Sequence, residues 1–106
     1  MANNFKAGDL VQIGSPDNTW VLCLKTLRGK PTVEEVPHHK LEIYSHPQYK
    51  NMFLSLEGKV GLIVYISRNK LDQAIGYRVL IEGREVFCKA IVANKYFNLI
   101  GTKESA

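Results

Sequence analysis

The chain is short of cysteine, of long apolar runs and of any block of like charge, and each shortage removes a class of protein. Cys23 and Cys88 are the only cysteines among 106 residues, and they stand in no motif spacing. That excludes a disulfide-stapled scaffold and leaves two buried free thiols as the expectation in a reducing compartment. No apolar run is long enough to cross a bilayer as a helix. Met1–Ala2–Asn3–Asn4–Phe5–Lys6 lacks the apolar core of a signal peptide, so the protein is expected to stay in the cytoplasm where it is made.

Lysine and arginine number 14 against 10 aspartates and glutamates, a net charge of +4, but they are scattered along the chain. Such a surplus favours an anionic partner only weakly, and a solvated lysine-bearing surface carries more weight than a nucleic-acid footprint. Catalytic patterns are equally scarce. His38, His39 and His46 match no common zinc spacing. No serine occupies a nucleophile elbow, and no glycine loop suits a phosphate. Glu34–Glu35 are adjacent carboxylates on an irregular stretch, which reads as surface and not as an acid–base pair. The expectation is a protein that is not an enzyme and needs no metal, cofactor or small-molecule substrate.

What is present is strand. Gly58–Lys59–Val60–Gly61–Leu62–Ile63–Val64–Tyr65–Ile66 is a run of β-branched and aromatic residues opened by two glycines. It reads as a central strand covered on both faces, with Gly58 in the entering turn and Gly61 at a bulge or a close backbone approach. Leu10–Ile13 and Thr19–Leu27 precede it as strands, with Trp20, Leu22 and Leu24 packing inward. Ile75–Ile81 and Glu85–Lys89 follow, joined by a hairpin through Glu82–Gly83–Arg84, where Gly83 supplies the positive φ. Ala90–Asn94 reads as one helical turn and Tyr96–Ile100 as a last strand.

Between them, residues 31–57 are least regular. Leu41–Glu42–Ile43–Tyr44 reads as a weak strand. Tyr49, Met52, Phe53 and Leu56 have helical spacing after Ser45–His46–Pro47, while Met52–Leu56 as a strand is the competing reading. The expected core is Val11, Ile13, Val64, Ile66, Tyr77, Val79, Ile81 and Phe87.

Two pieces carry a resemblance. Gly8–Asp9–Leu10–Val11–Gln12–Ile13 resembles the opening of Src-homology-3-like barrels. Gly58 to Ile66 resembles the Kyrpides–Ouzounis–Woese motif of ribosomal and transcription-factor barrels. With the closing strands from Tyr77 to Leu99, the chain is similar to short proteins of tailed bacteriophages, notably T4-like phages of marine bacteria and cyanobacteria. The resemblance implies an all-β fold in one domain, residues 1–106: a small barrel of about five strands from 5–14 and 58–100. Residues 15–57 form a structured insertion with an extra strand or strands and a short helix.

That insertion departs from the ribosomal pattern and weakens inheritance of its RNA-binding role. The resemblance implies a virion accessory protein, a decoration, neck or tail component, made in the host cytoplasm. Its partners would be other virion proteins or copies of itself. The expected partner-binding residues are His38, Leu41, Ile43 and Tyr44, an interface-type set in the insertion. The alternative is a nucleic-acid-binding barrel with a regulatory role in transcription or translation, through Arg68, Lys70 and Arg78 beside Tyr65 and Tyr77.

Overall fold

A computed structural model describes residues 5–15, 17, 19–44, 46–48 and 52–102, with the side chain of residue 27 set aside. Among the described residues, eight strands form two antiparallel sheets. The larger has the order β7–β6–β5–β1–β8, built from β1 (Asp9–Ile13), β5 (Val60–Arg68), β6 (Ala74–Ile81), β7 (Arg84–Lys89) and β8 (Phe97–Thr102). The smaller has the order β3–β2–β4, from β2 (Trp20–Leu27), β3 (Lys30–Pro37) and β4 (Phe53–Ser55). A 3-10 turn (His38–Lys40) and a short helix α1 (Leu41–Tyr44) follow β3, and helix α2 (Ala90–Tyr96) leads into β8. The fold is all-β and barrel-like, and the barrel is not closed.

Two turns of the same chemistry set the registers. Arg28–Gly29 (φ 53° and 78°) joins β2 to β3, and Glu82–Gly83 (φ 52° and 74°) joins β6 to β7. Both central residues lie in the left-handed region, as a two-residue turn needs to match the twist of its strands. Leu27↔Lys30 and Ile81↔Arg84 are the closing pairs. The turn into β5 is of another kind: Gly58 alone is left-handed (φ 80°), the Lys59 N–H closes it on the Leu56 carbonyl at 2.9 Å, and the Gly58 N–H ties it to the Ile13 carbonyl at 2.7 Å.

One core serves both sheets. Val11, Ile13, Ile63, Tyr77, Val79, Ile81, Val86 and Phe97 of the larger sheet pack with Leu22 and Leu24 of β2, and with Leu56, which follows β4. Phe5 closes one end, edge-on to Tyr77 (centroids 5.5 Å apart) and to Phe97 (5.9 Å). A smaller cluster, Val21, Cys23 and Val36, lies on the other face of β2 and β3, where Leu41 and Tyr44 cover it.

The structure corrects several expectations. Leu41–Tyr44 is helical, because Leu41 and Tyr44, three apart, are both needed on the Val21–Cys23–Val36 cluster. Phe53–Ser55 is a strand and no helix runs there, since β2 takes its second partner from Cys23↔Ser55 to Lys25↔Phe53. Tyr49 of the expected helix lies outside the described residues. β3, unforeseen, places Glu34 and Glu35 in a ladder.

Central β5 is buried on one face only, with Val60, Val64 and Tyr65 exposed on the other. Its bulge falls at Val64, between Ile63↔Val79 and Tyr65↔Arg78, and turns Val64 out of the core. Phe87 also faces out, since Val79↔Val86 sends Val86 and Cys88 inward. Trp20 stays 42% exposed where β2 runs past the core. Ile66 is half-buried against the core.

Gly61 therefore serves close approach and not a bulge. A Cβ there would lie 2.7 Å from Val79 Cγ1 and 3.0 Å from Ile81 Cγ1, inside the core. Gly61→Ala is expected to destabilise by about 1–3 kcal/mol through overpacking. Gly101→Ala, with open space around its Cβ, should change stability by less than about 0.5 kcal/mol. Urea unfolding of the pair checks this, and equal midpoints would refute the close-approach role.

Candidate interaction surface

The outward face of the larger sheet is unusually apolar. Strand alternation sends Leu10, Leu62 and Leu80 to it as one row, since Leu10↔Leu62 and Leu62↔Leu80 are register pairs. Val60 stands one row away at 47% exposure, and Leu80 is 41% exposed. The next row is Tyr65–Arg78–Phe87. Arg78 lies 5.5 Å from the Tyr65 ring centroid, a cation–π distance. Phe87 leans over Gly76 on the neighbouring strand, where a Cβ would fall inside its ring. This fills the gap the glycine leaves and holds the phenyl flat against the sheet.

Several cations beside these rows are paired, while Lys89, exposed on the same face of β7, has no ion pair among the described residues. Arg78 pairs with Glu85 at 3.8 Å and Arg68 with Asp72 at 3.8 Å; Arg68 also donates to the Asp72 carbonyl at 3.0 Å. At the end of the sheet Lys59 pairs with Glu82 at 3.4 Å. Exposed pairs of this kind contribute little stability. Their effect is to leave the leucine row apolar, with the cations nearest to it paired.

The expected nucleic-acid residues divide accordingly. Arg78 is on the sheet face, whereas Arg68 and Lys70 sit at the β5–β6 loop, which Asn69 shapes by accepting from the Leu71 and Gln73 N–H groups. Tyr77 is core, at 1% exposure, and offers no stacking face. Of the expected partner-binding set, His38 is exposed in the 3-10 turn and Ile43 is 56% exposed. Leu41 and Tyr44 point the other way. Tyr44 stacks on Phe53 (4.1 Å, 16°), and with Leu41, Cys23 and Ser55 they line a small cavity of about 200 Å³. The helix thus anchors itself with two of the four residues and presents Ile43.

A second concavity, of about 530 Å³, is lined by Asp17, Trp20, Glu35, Lys95 and Tyr96. Its polar groups are already matched: the Tyr96 hydroxyl donates to Glu35 Oε2 at 2.9 Å, and Lys95 Nζ is 3.8 Å from the same oxygen. The Trp20 face is its one large apolar wall. Among the described residues no group of three or more His, Cys, Asp or Glu side chains gathers as a metal site. Sequence pattern names Tyr65 and Arg78 of this face but assigns its neighbours Val64 and Phe87 to the core. A hairpin through Glu82–Gly83–Arg84 would pair Ile81 with Glu85 and turn Phe87 inward, whereas the two-residue turn at Glu82–Gly83 pairs Ile81 with Arg84 and turns Phe87 outward.

No family model, no curated protein and no solved structure matches the chain. Among the described residues no helix is long and apolar enough to cross a membrane.

The thiols are chemically quiet. Burial, then the Glu34 carboxylate, pushes Cys23 up to about 11; burial, then Glu35, pushes Cys88 up to about 12. Burial and the Glu35 hydrogen bond hold the Tyr96 phenol above its ordinary range. Because these groups prefer the protonated form when folded, the stability they contribute is complete below their unfolded values, 9.0 for the thiols and 10.0 for the phenol. That stability is lost as pH rises toward 11–12, with a slope of up to about 1.4 kcal/mol per pH unit for each group. Both thiols should resist a disulfide reagent at pH 8 until the chain is denatured. Rapid native-state labelling would show the burial to be wrong.

Proposed function

We propose that this chain is a non-enzymatic phage virion accessory protein, a decoration, neck or tail component that works through protein–protein contact. The observation that carries the contact reading is the outer face of the larger sheet. Val60, Tyr65, Leu80 and Phe87 are all between 41% and 55% exposed there, and the one cation among them is neutralised by Glu85. An exposed apolar patch with few free charges and two aromatics has the make-up of a protein interface core. The burial of both thiols supports a packing role for them. The virion setting rests on the resemblance of the barrel strands to phage proteins. Ile43 and His38, exposed beside α1, extend the available contact surface to the smaller sheet.

A second reading, nucleic-acid binding, draws on the Tyr65–Arg78–Phe87 row, which offers two rings and a guanidinium to stacked bases. The carboxylates of Glu85 and Asp72 weigh against it, because each offsets a cation that phosphate contact would need.

The test is retention on purified particles. The chain is expected to remain with particles through a density gradient. Leu80→Glu combined with Val60→Glu should fold normally and reduce retention by about tenfold or more, as a charge buried at an interface core costs over 1.4 kcal/mol. Arg78→Glu should leave retention nearly intact. A chain found free in the lysate, with salt-sensitive binding to DNA or RNA that Arg78→Glu abolishes, would replace the first reading with the second.

A further inference from the structure

Two sheets leave four edge strands, β7 and β8 on the larger and β3 and β4 on the smaller. Exposed edges invite pairing with other chains, and folds blunt them with charge, proline, shortness or cover. β7 carries Arg84, Glu85 and Lys89, and β3 packs alongside it. β3 carries Lys30, Glu34 and Glu35, with Pro31 and Pro37 near its ends. β4 is three residues long.

β8 differs on every count but one. Phe97–Asn98–Leu99–Ile100–Gly101–Thr102 has six residues with no charge and no proline, and among the described residues it is paired on one side only, to β1. Leu99 is 58% exposed and Ile100 52%. Its single blunting device is a bulge at Ile100, between Val11↔Leu99 and Leu10↔Gly101. The Asn98 side chain donates to the Gln12 and Tyr96 carbonyls, at 3.4 and 3.5 Å, and is thereby held against its own chain.

We propose that β8 pairs antiparallel with β8 of a second copy, joining two five-stranded sheets into one continuous sheet across a two-fold axis. An uncharged, self-complementary edge lets a second copy dock without any like-charge contact. The chain is net +4, so copies repel except where they meet through neutral surface, and β8 is a neutral edge on a charged molecule. A two-fold sets each residue near its own counterpart, which an uncharged strand tolerates and a charged one does not. The same symmetry makes the pair antiparallel, continuing the pattern of every neighbour in the sheet. Leu99 and Ile100 from both copies then leave water together. The inference is independent of the virion reading.

Sedimentation velocity over about a hundredfold range of concentration tests it. A dimer that dissociates on dilution is expected. Leu99→Lys with Ile100→Lys should weaken association by at least about tenfold while keeping the thermal midpoint of the dilute monomer, since both side chains are exposed. Leu71→Lys, at a 77% exposed position in the β5–β6 loop, should leave association unchanged. A spin label on Ile100→Cys, selective because both native thiols are buried, should show dipolar broadening in the dimer. A monomer at every concentration overturns the proposal. So does a dimer that tolerates the two lysines or gives no broadening, because its interface would lie elsewhere. A monomer that still stays with particles removes this inference and leaves the virion reading standing.

Discussion

Everything in this molecule hangs on the contact between the inward face of the five-stranded sheet and the inward face of β2. Leu22 and Leu24 reach into the same core as Val11, Ile63 and Val79, and Leu56 seals it as the chain returns toward β5. Burying a side chain of this size contributes roughly 1.5–3 kcal/mol, so three leucines represent a large share of the stability of a small domain. The segment between β1 and β5 is therefore part of the fold's core and not an ornament on it. That is also why its own outer face needs a second small cover, which α1 supplies with Leu41 and Tyr44.

The same packing decides where apolar surface is left over. A five-stranded sheet has two faces, and the smaller sheet with α2 can cover only one. The uncovered face keeps Leu10, Leu62 and Leu80 in a row, and the bulge at Val64 adds Tyr65 to it. Around that row the ion pairs of Arg78 with Glu85 and of Lys59 with Glu82 cancel charge locally. Surface of this kind is suited to a desolvated contact with another protein and poorly suited to a polyanion. The proposed contact role follows from that balance of apolar area against field.

Local signals in the chain spoke clearly about turns and alternation. Gly58 and Gly83 sit at positive φ as their contexts demanded, and the inward set of β6, Tyr77, Val79 and Ile81, follows from period-two alternation alone. The helical turn before the last strand was also legible, as α2. Less legible was anything that depended on what lay opposite. Leu41–Tyr44 has strand-compatible residues, yet the cluster beneath it selects a helix. Phe53–Ser55 has helical spacing, yet the open side of β2 selects a strand. Of the expected contact residues, Ile43 is exposed, while Leu41 and Tyr44 are spent on anchoring α1.

The amino-acid order by itself determined the strand-rich character, the glycine turns, the scarcity of catalytic patterns and the one-sided alternation of β1 and β6, because these depend on φ preferences and on neighbours two residues apart. Only the tertiary structure decided which face of β5 is buried, where its bulge falls and which edge stays open. Those outcomes depend on non-local pairing. Val64 and Phe87 look like core residues in isolation, and the partner strands β1, β6 and β7 settle their orientation through register. The neutral edge at β8 likewise exists only because, among the described residues, no strand pairs on its far side.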